Sequence, residues 1–166
     1  MSDKLSHVDE SGTARMVDVS AKPETVRRAR ATGSIAMRPE TLRAILNAEV
    51  KKGDVLGVAR IAGIMAAKRT AELIPLCHPL ILDDVQISLT ADETLPGIRA
   101  EASVTTTGRT GAEMEALTSV SVALLTVYDM AKALDRGMVL SDISLASKSG
   151  GHTGDYARVD GTGSAT

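Results

Sequence analysis

The sequence contains no tryptophan and no phenylalanine, and its aromatic complement is two tyrosines, Tyr128 and Tyr156. A core without aromatic rings has to be assembled from Ala, Val, Leu, Ile and Met. Such small side chains let elements approach closely but each removes little apolar area from water. A subunit built this way is expected to draw part of its stability from association with copies of itself. The shortage also argues against a base-stacking sheet, which needs aromatic side chains on its strands, and neither tyrosine falls on an expected strand. The single cysteine, Cys77, excludes an internal disulfide and suits a reducing compartment. The three histidines are His7, His78 and His152, and no Cys-x-x-Cys or His-x-x-x-His spacing occurs; the sequence therefore offers no metal site.

Other absences narrow the class further. Nineteen Lys and Arg stand against 21 Asp and Glu, for a formal net charge of −2, without the basic excess of a general nucleic-acid surface. Arg60, Lys68, Asp129 and Lys132 interrupt the most apolar stretches, so none reaches the ~18 uncharged residues of a membrane span. Met1 to Gly12 is polar, with no apolar core of a signal peptide. The expected setting is the cytoplasm, with neither nucleic acid nor membrane as partner.

What is present fits one catalytic domain of 166 residues, with flexible tails over about 1–12 and 157–166. Alternation suggests a short edge strand at Met16 to Ser20 and a longer strand at Glu24 to Met37. Pro39 suits the first turn of a helix continuing through Thr41 to Ala48. Lys51-Lys52-Gly53 breaks it, and Asp54 suits the N-cap of a small-residue-rich helix reaching Ile74. Strands follow around Val85 to Leu89 and Ile98 to Thr107, with Pro96-Gly97 in the turn. An apolar helix then occupies Ala112 to Leu134, and Ile143 and Leu145 mark a last strand before the loop from Lys148 to Gly154. The resulting order is the βαββαβ of a ferredoxin-like α+β fold: an antiparallel sheet with helices packed on one face and an added helical hairpin near Gly53.

Between Ala116 and Leu134, Asp129 and Lys132 are the only charges. Three apart on a helix, they project from one side. One reading is a solvated ion pair worth ~0–1 kcal/mol. The other is an acid/base pair in a partly dry cleft, where low dielectric shifts both groups. Glu113 and Glu115 in the first turn suit the helix dipole, or serve to grip a polar heterocycle. Adjacent residues rarely orient one another as thiol and base, so Cys77 is expected to pack and His78 to offer a hydrogen bond to ligand. Lys51, Lys52, Lys68, Arg69, Arg109 and Lys148 each suit solvent. Together, in an acidic chain, they suggest a pocket for a polyanion, with Gly150-Gly151 letting backbone N–H groups approach phosphate. A small-ligand regulatory domain would have no use for a buried Asp–Lys pair; a structural or scaffolding subunit is the last alternative to an enzyme, and inertness toward substrate would favour it.

Several long segments, in order, carry a resemblance. They include Met16-Val17-Asp18-Val19-Ser20, Lys52-Gly53-Asp54-Val55, Ala59 to Ile64, Ala66-Ala67-Lys68-Arg69-Thr70 and Leu73 to Leu80. They continue with Thr110 to Thr118, Tyr128-Asp129-Met130 and Lys148-Ser149-Gly150-Gly151. Over roughly Val8 to Tyr156 the chain resembles the cyclic pyranopterin monophosphate synthase (MoaC) family of molybdenum cofactor biosynthesis. The resemblance implies a lyase that takes 3',8-cyclo-7,8-dihydroguanosine triphosphate, made from GTP by an upstream radical enzyme, to cyclic pyranopterin monophosphate and diphosphate. It implies Asp129 and Lys132 as the acid/base centre and Lys52 as a further catalytic lysine. Leu76, Cys77, His78, Met114 and Glu115 would line the substrate pocket, Lys68 and Lys148 would hold phosphates, and Glu113 would help place the purine-derived ring. It implies no required cofactor, with room for Mg2+ carried by the triphosphate. It also implies a homohexamer, a trimer of dimers, with sites at subunit interfaces. His152 departs from the family's permanently charged residue and is given no role.

Overall fold

The computed structural model describes residues 12–151 and 154–159. Expected tail residues 1–11 and 160–166, and His152, lie outside the described residues. The elements are β1 (Thr25–Ala36), α1 (Pro39–Leu46), α2 (Val55–Lys68), α3 (Thr70–Leu73), β2 (Asp84–Asp92), β3 (Gly97–Gly108), α4 (Glu113–Ala131), β4 (Val139–Ser149) and β5 (Tyr156–Ala157). The sheet order is β2-β3-β1-β4-β5, and every neighbouring pair is antiparallel. Its first four strands with α2 and α4 form the ferredoxin-like βαββαβ arrangement; α1 and the turn around Gly53 are the added hairpin.

Alternation along β1 and β3 turns Ala29, Ala31, Ile35, Ile98, Ala100, Ala102 and Val104 toward the helices, where all are buried. Alanine recurs throughout this core, and the packing is correspondingly close. A side chain at Gly63 of α2 would meet Ile87 of β2 and the backbone oxygen of Ser119 in α4. The Ser119 hydroxyl uses that proximity to donate to the Gly63 carbonyl at 3.0 Å. Thus α2 lies directly on α4, made possible by small residues at the crossing. α4 is the one described helix long and apolar enough to cross a membrane, yet 56% of its most apolar window is buried in this core.

Four local expectations change. Met16 to Ser20 is not a strand: the Asp18 carboxylate accepts the Ser20 N–H at 2.8 Å, and this Asx-type turn competes with extended pairing. The helix expected to run to Ile74 breaks at Arg69, with φ −115 and ψ 12. There the Arg69 N–H turns back to Ala66, whose carbonyl also accepts the Thr70 hydroxyl at 3.1 Å. Lys148 and Ser149 extend β4 instead of opening a loop, because Ala29 and Arg28 of β1 give them ladder partners. Ala157, expected in the tail, pairs with Ser147, and Tyr156 beside it lies on the same two-residue edge strand β5. One edge tyrosine, 43% exposed, does not make a stacking platform.

Candidate functional site

α4 carries charged residues at both ends, and each end recruits further side chains from distant parts of the chain. At the C-terminal end, Asp129 is two residues before the helix finishes and Lys132 is its C-cap. Lys132 Nζ stands 2.7 Å from Asp129 Oδ1. Lys52, delivered by the turn between α1 and α2, places Nζ 2.7 Å from the other carboxylate oxygen. Lys52 also donates to the Asp129 backbone carbonyl at 2.9 Å, one of the acceptors that a helix end leaves without an internal partner. The left-handed backbone of Gly53, φ +93, turns the chain from Lys52 into the N-cap of α2, where Asp54 accepts the Gly57 N–H at 2.9 Å.

One carboxylate therefore bridges two ammonium groups. The Lys132 hydrogen bond, then that of Lys52, hold the Asp129 carboxyl down at about 2. At neutral pH it stays ionised and acts as an anchor that fixes both lysines near the helix's negative pole. Lys132 retains two N–H donors, and Lys52 one, to direct at a ligand. The three side chains are about half exposed, so the dry cleft expected from the apolar neighbours is not formed within the single chain.

The other end of α4 gathers a larger set. Glu113 accepts from Lys148 Nζ at 3.0 Å, with both side chains about one-third exposed. Lys148 reaches the helix because its register opposite Ala29 turns it to the inner face of the sheet. Glu115 is 3% exposed. Burial pushes its carboxyl up to about 7, with the nearby Glu113 charge adding to the rise against the Glu115 N–H. Near neutral pH this group is thus able to donate as well as accept. Cys77 lies close to both acids: burial, then Glu115, then Glu113 raise its thiol, the opposite of what a nucleophilic cysteine requires. Leu76, Cys77 and His78 are half-buried, and Met114 and Lys68 are exposed. Because α2 runs back along α4 past Ser119 and Ala123, Lys68 at its C-terminus lies toward this same end. Among the described residues Lys68 forms no ion pair.

Arg27 belongs here and was missed in the sequence. It is 8% exposed, and its Nε donates to the Gly108 carbonyl at 2.9 Å. A side chain at Gly151 would collide with its guanidinium, so the Gly150-Gly151 turn, at φ +85 and +95, passes directly over it. The available signal was alternation: Arg27 shares the inward parity of Ala29 and Ala31. Arg109 instead pairs with Glu24 at 3.7 Å. Among the described residues no group of three or more His, Cys, Asp and Glu side chains gathers in a way suited to a metal ion.

The two groups do not meet within the single chain. From Glu113 to Asp129 the helix advances sixteen residues, about 24 Å at 1.5 Å each. Three of the expected site residues stand at one end, and the remaining eight at the other.

A model of the MoaC family matches residues 16–151. A cyclic pyranopterin monophosphate synthase of Methylobacterium sp. (strain 4-46) is 63% identical over 153 residues, covering 92% of this chain and 96% of that relative. Proteins of the same name from Brucella ovis and Brucella melitensis biotype 2 are each 57% identical over 160 residues. Those matches cover 96% of this chain and 97% of theirs.

Proposed function

The chain belongs to the MoaC family, and on that premise we propose that it converts 3',8-cyclo-7,8-dihydroguanosine triphosphate to cyclic pyranopterin monophosphate and diphosphate, a lyase step of molybdenum cofactor biosynthesis. The observation that carries the chemical reading is the Asp129 carboxylate held between Lys132 and Lys52 at 2.7 Å each. Opening and rebuilding a guanine-derived ring requires proton transfers at several atoms. Lys132 and Lys52 move those protons, and Asp129 aims them while remaining ionised. No resident cofactor is required; Mg2+ enters, if at all, with the triphosphate.

The opposite end of α4 has the chemistry to bind the substrate. Lys148 and Lys68 hold phosphates, since closing a cyclic phosphate and expelling diphosphate needs cations around the developing charge. Glu113, released from Lys148 when phosphate arrives, positions the ring with Met114, Glu115 and the Leu76-Cys77-His78 segment. The 24 Å between binding and proton-transfer groups supports a site completed by a second copy, whose opposite helix end fills the gap. The aromatic-poor core and exposed Ile61, Met65 and Leu125 are consistent with a homohexamer made of three such pairs, working in the cytoplasm on the product of a radical GTP cyclase.

The decisive assay incubates purified protein with the cyclic dihydroguanosine triphosphate and follows diphosphate and pterin together. Wild type is expected to release both, with product lost in Lys132→Ala and Asp129→Asn. Wild type that yields neither would overturn the reaction. Folded variants at full rate would overturn the assigned centre.

A further inference from the structure

Lys52 is on a limb, residues 38–52, that leaves the sheet after β1, forms α1 and returns to α4. One end of this limb is tied to the last turn of α4, and the other to the turn that follows it, whose Leu134 and Asp135 N–H groups bond back to Ala131. Lys52 itself is bonded to Asp129. At the other extremity the Arg38 backbone N–H donates to Asp135 Oδ2 at 2.9 Å. The Arg38 guanidinium donates to the Leu134 carbonyl, and its Nε stands 3.6 Å from the Asp135 carboxylate. The second Asp135 oxygen accepts the Gly137 N–H at 2.9 Å, which fixes the carboxylate in place. Asp135 is 6% exposed, so its bonds are shielded from competing water.

The local sequence explains why α1 needs this partner. Arg38 is at the N-cap and provides no side-chain cap, and Pro39 follows it. A carboxylate from 97 residues away takes over, accepting a backbone N–H at the helix start and facing its positive pole. Meanwhile Leu42, Ile45 and Val50 are buried and keep the limb docked by apolar contact. What Asp135 adds is register along the end of α4.

We propose that Asp135 is a positioning residue for the reaction: by clamping the start of the α1 limb to the end of α4, it sets where the Lys52 ammonium falls on Asp129. Asp135 touches no substrate in this account, and the proposal rests on the reading of Lys52 as a proton-transfer group. Displacement of about 1 Å in such a group costs on the order of a hundredfold in rate, so a clamp that fixes its position has a direct catalytic consequence.

The test combines turnover with a measurement that needs none. Lys52 in the folded, full-length protein is labelled with an amine-selective reagent, and its rate is read by peptide mass spectrometry against exposed Lys22. In Asp135→Ala, Lys52 labelling is expected to rise toward its level in Asp129→Asn. In Asp135→Ala kcat is also expected to fall by at least about tenfold with KM unchanged. Asp135→Asn keeps an oxygen acceptor for the Arg38 N–H and is expected to be intermediate in both readouts. Should Asp135→Ala fail to fold, Asp135→Asn carries the test alone. Wild-type labelling of Lys52 in the folded variants overturns the clamp, whatever the rate does. Full activity in Lys52→Ala would instead overturn the functional reading, while labelling would still report on the clamp.

Discussion

The two ends of α4 solve different electrostatic problems with the same residue types. At the C-terminal end one carboxylate is shared by two lysines, half exposed, and the Asp129 carboxyl is pulled down to about 2. At the N-terminal end Glu113 pairs with Lys148, while among the described residues Glu115 has no ion pair. Burial dominates, and the Glu115 carboxyl is pushed up to about 7. The first arrangement keeps a fixed anion and presents N–H donors, as a proton-transfer centre requires. The second brings together a neutralisable acid, a carboxylate–lysine pair and a turn over a buried arginine, features suited to gripping a polar ring and its phosphates. The helix dipole favours Lys132 and Lys52 at its negative pole and Glu113 and Glu115 in its first turn.

This contrast makes graded predictions. Lys52→Ala, at the proposed proton-transfer end, is expected to lower kcat by about a thousandfold, within the range for losing a general acid or base, in a direct diphosphate-release assay. Lys148→Ala, at the proposed binding end, is expected to act chiefly on KM, raising it about tenfold, as loss of one proposed charge-assisted contact to phosphate would. An equal fall in kcat with KM unchanged would erase the distinction between the two ends.

The effect of Glu115→Gln is read in stability. The buried carboxyl titrates near 7 against an ordinary 4.5, so the folded state binds the extra proton between those values. Wild-type stability therefore falls as pH rises from about 5 to 8, by on the order of 2 kcal/mol. The amide variant removes that slope in thermal unfolding followed at both ends of the range. A slope unchanged in Glu115→Gln would mean the glutamate is not the group responsible.

The sequence made much of this legible, and unevenly. Strand alternation and the apolar run before Lys132 announced β1, β3 and α4, because period-2 and period-3.6 burial leave direct marks. Asp129 and Lys132 stood out as the only charges in that run. What remained hidden depended on long-range partners. Lys148 joined a strand because β1 supplied a ladder edge, and α2 stopped at Arg69 because local hydrogen bonds competed with its continuation. Asp135 could not be identified as a cap for α1, since its partner Arg38 is 97 residues away. The distance between the two groups of site residues was countable along α4. It acquired meaning only when Lys148 and Lys52 were found at opposite ends.

Complementation tests most directly the proposal that these ends cooperate across two copies of the chain. Lys132→Ala, broken at one end, is co-expressed in equal amount with Lys68→Ala/Lys148→Ala, broken at the other, and assayed at low substrate. Each alone is expected to be nearly inactive. The mixed assembly should recover about a quarter of wild-type activity, the statistical share of intact sites when two-fold pairs form at random. Co-purified mixed assemblies no more active than the two parents would contradict a shared site.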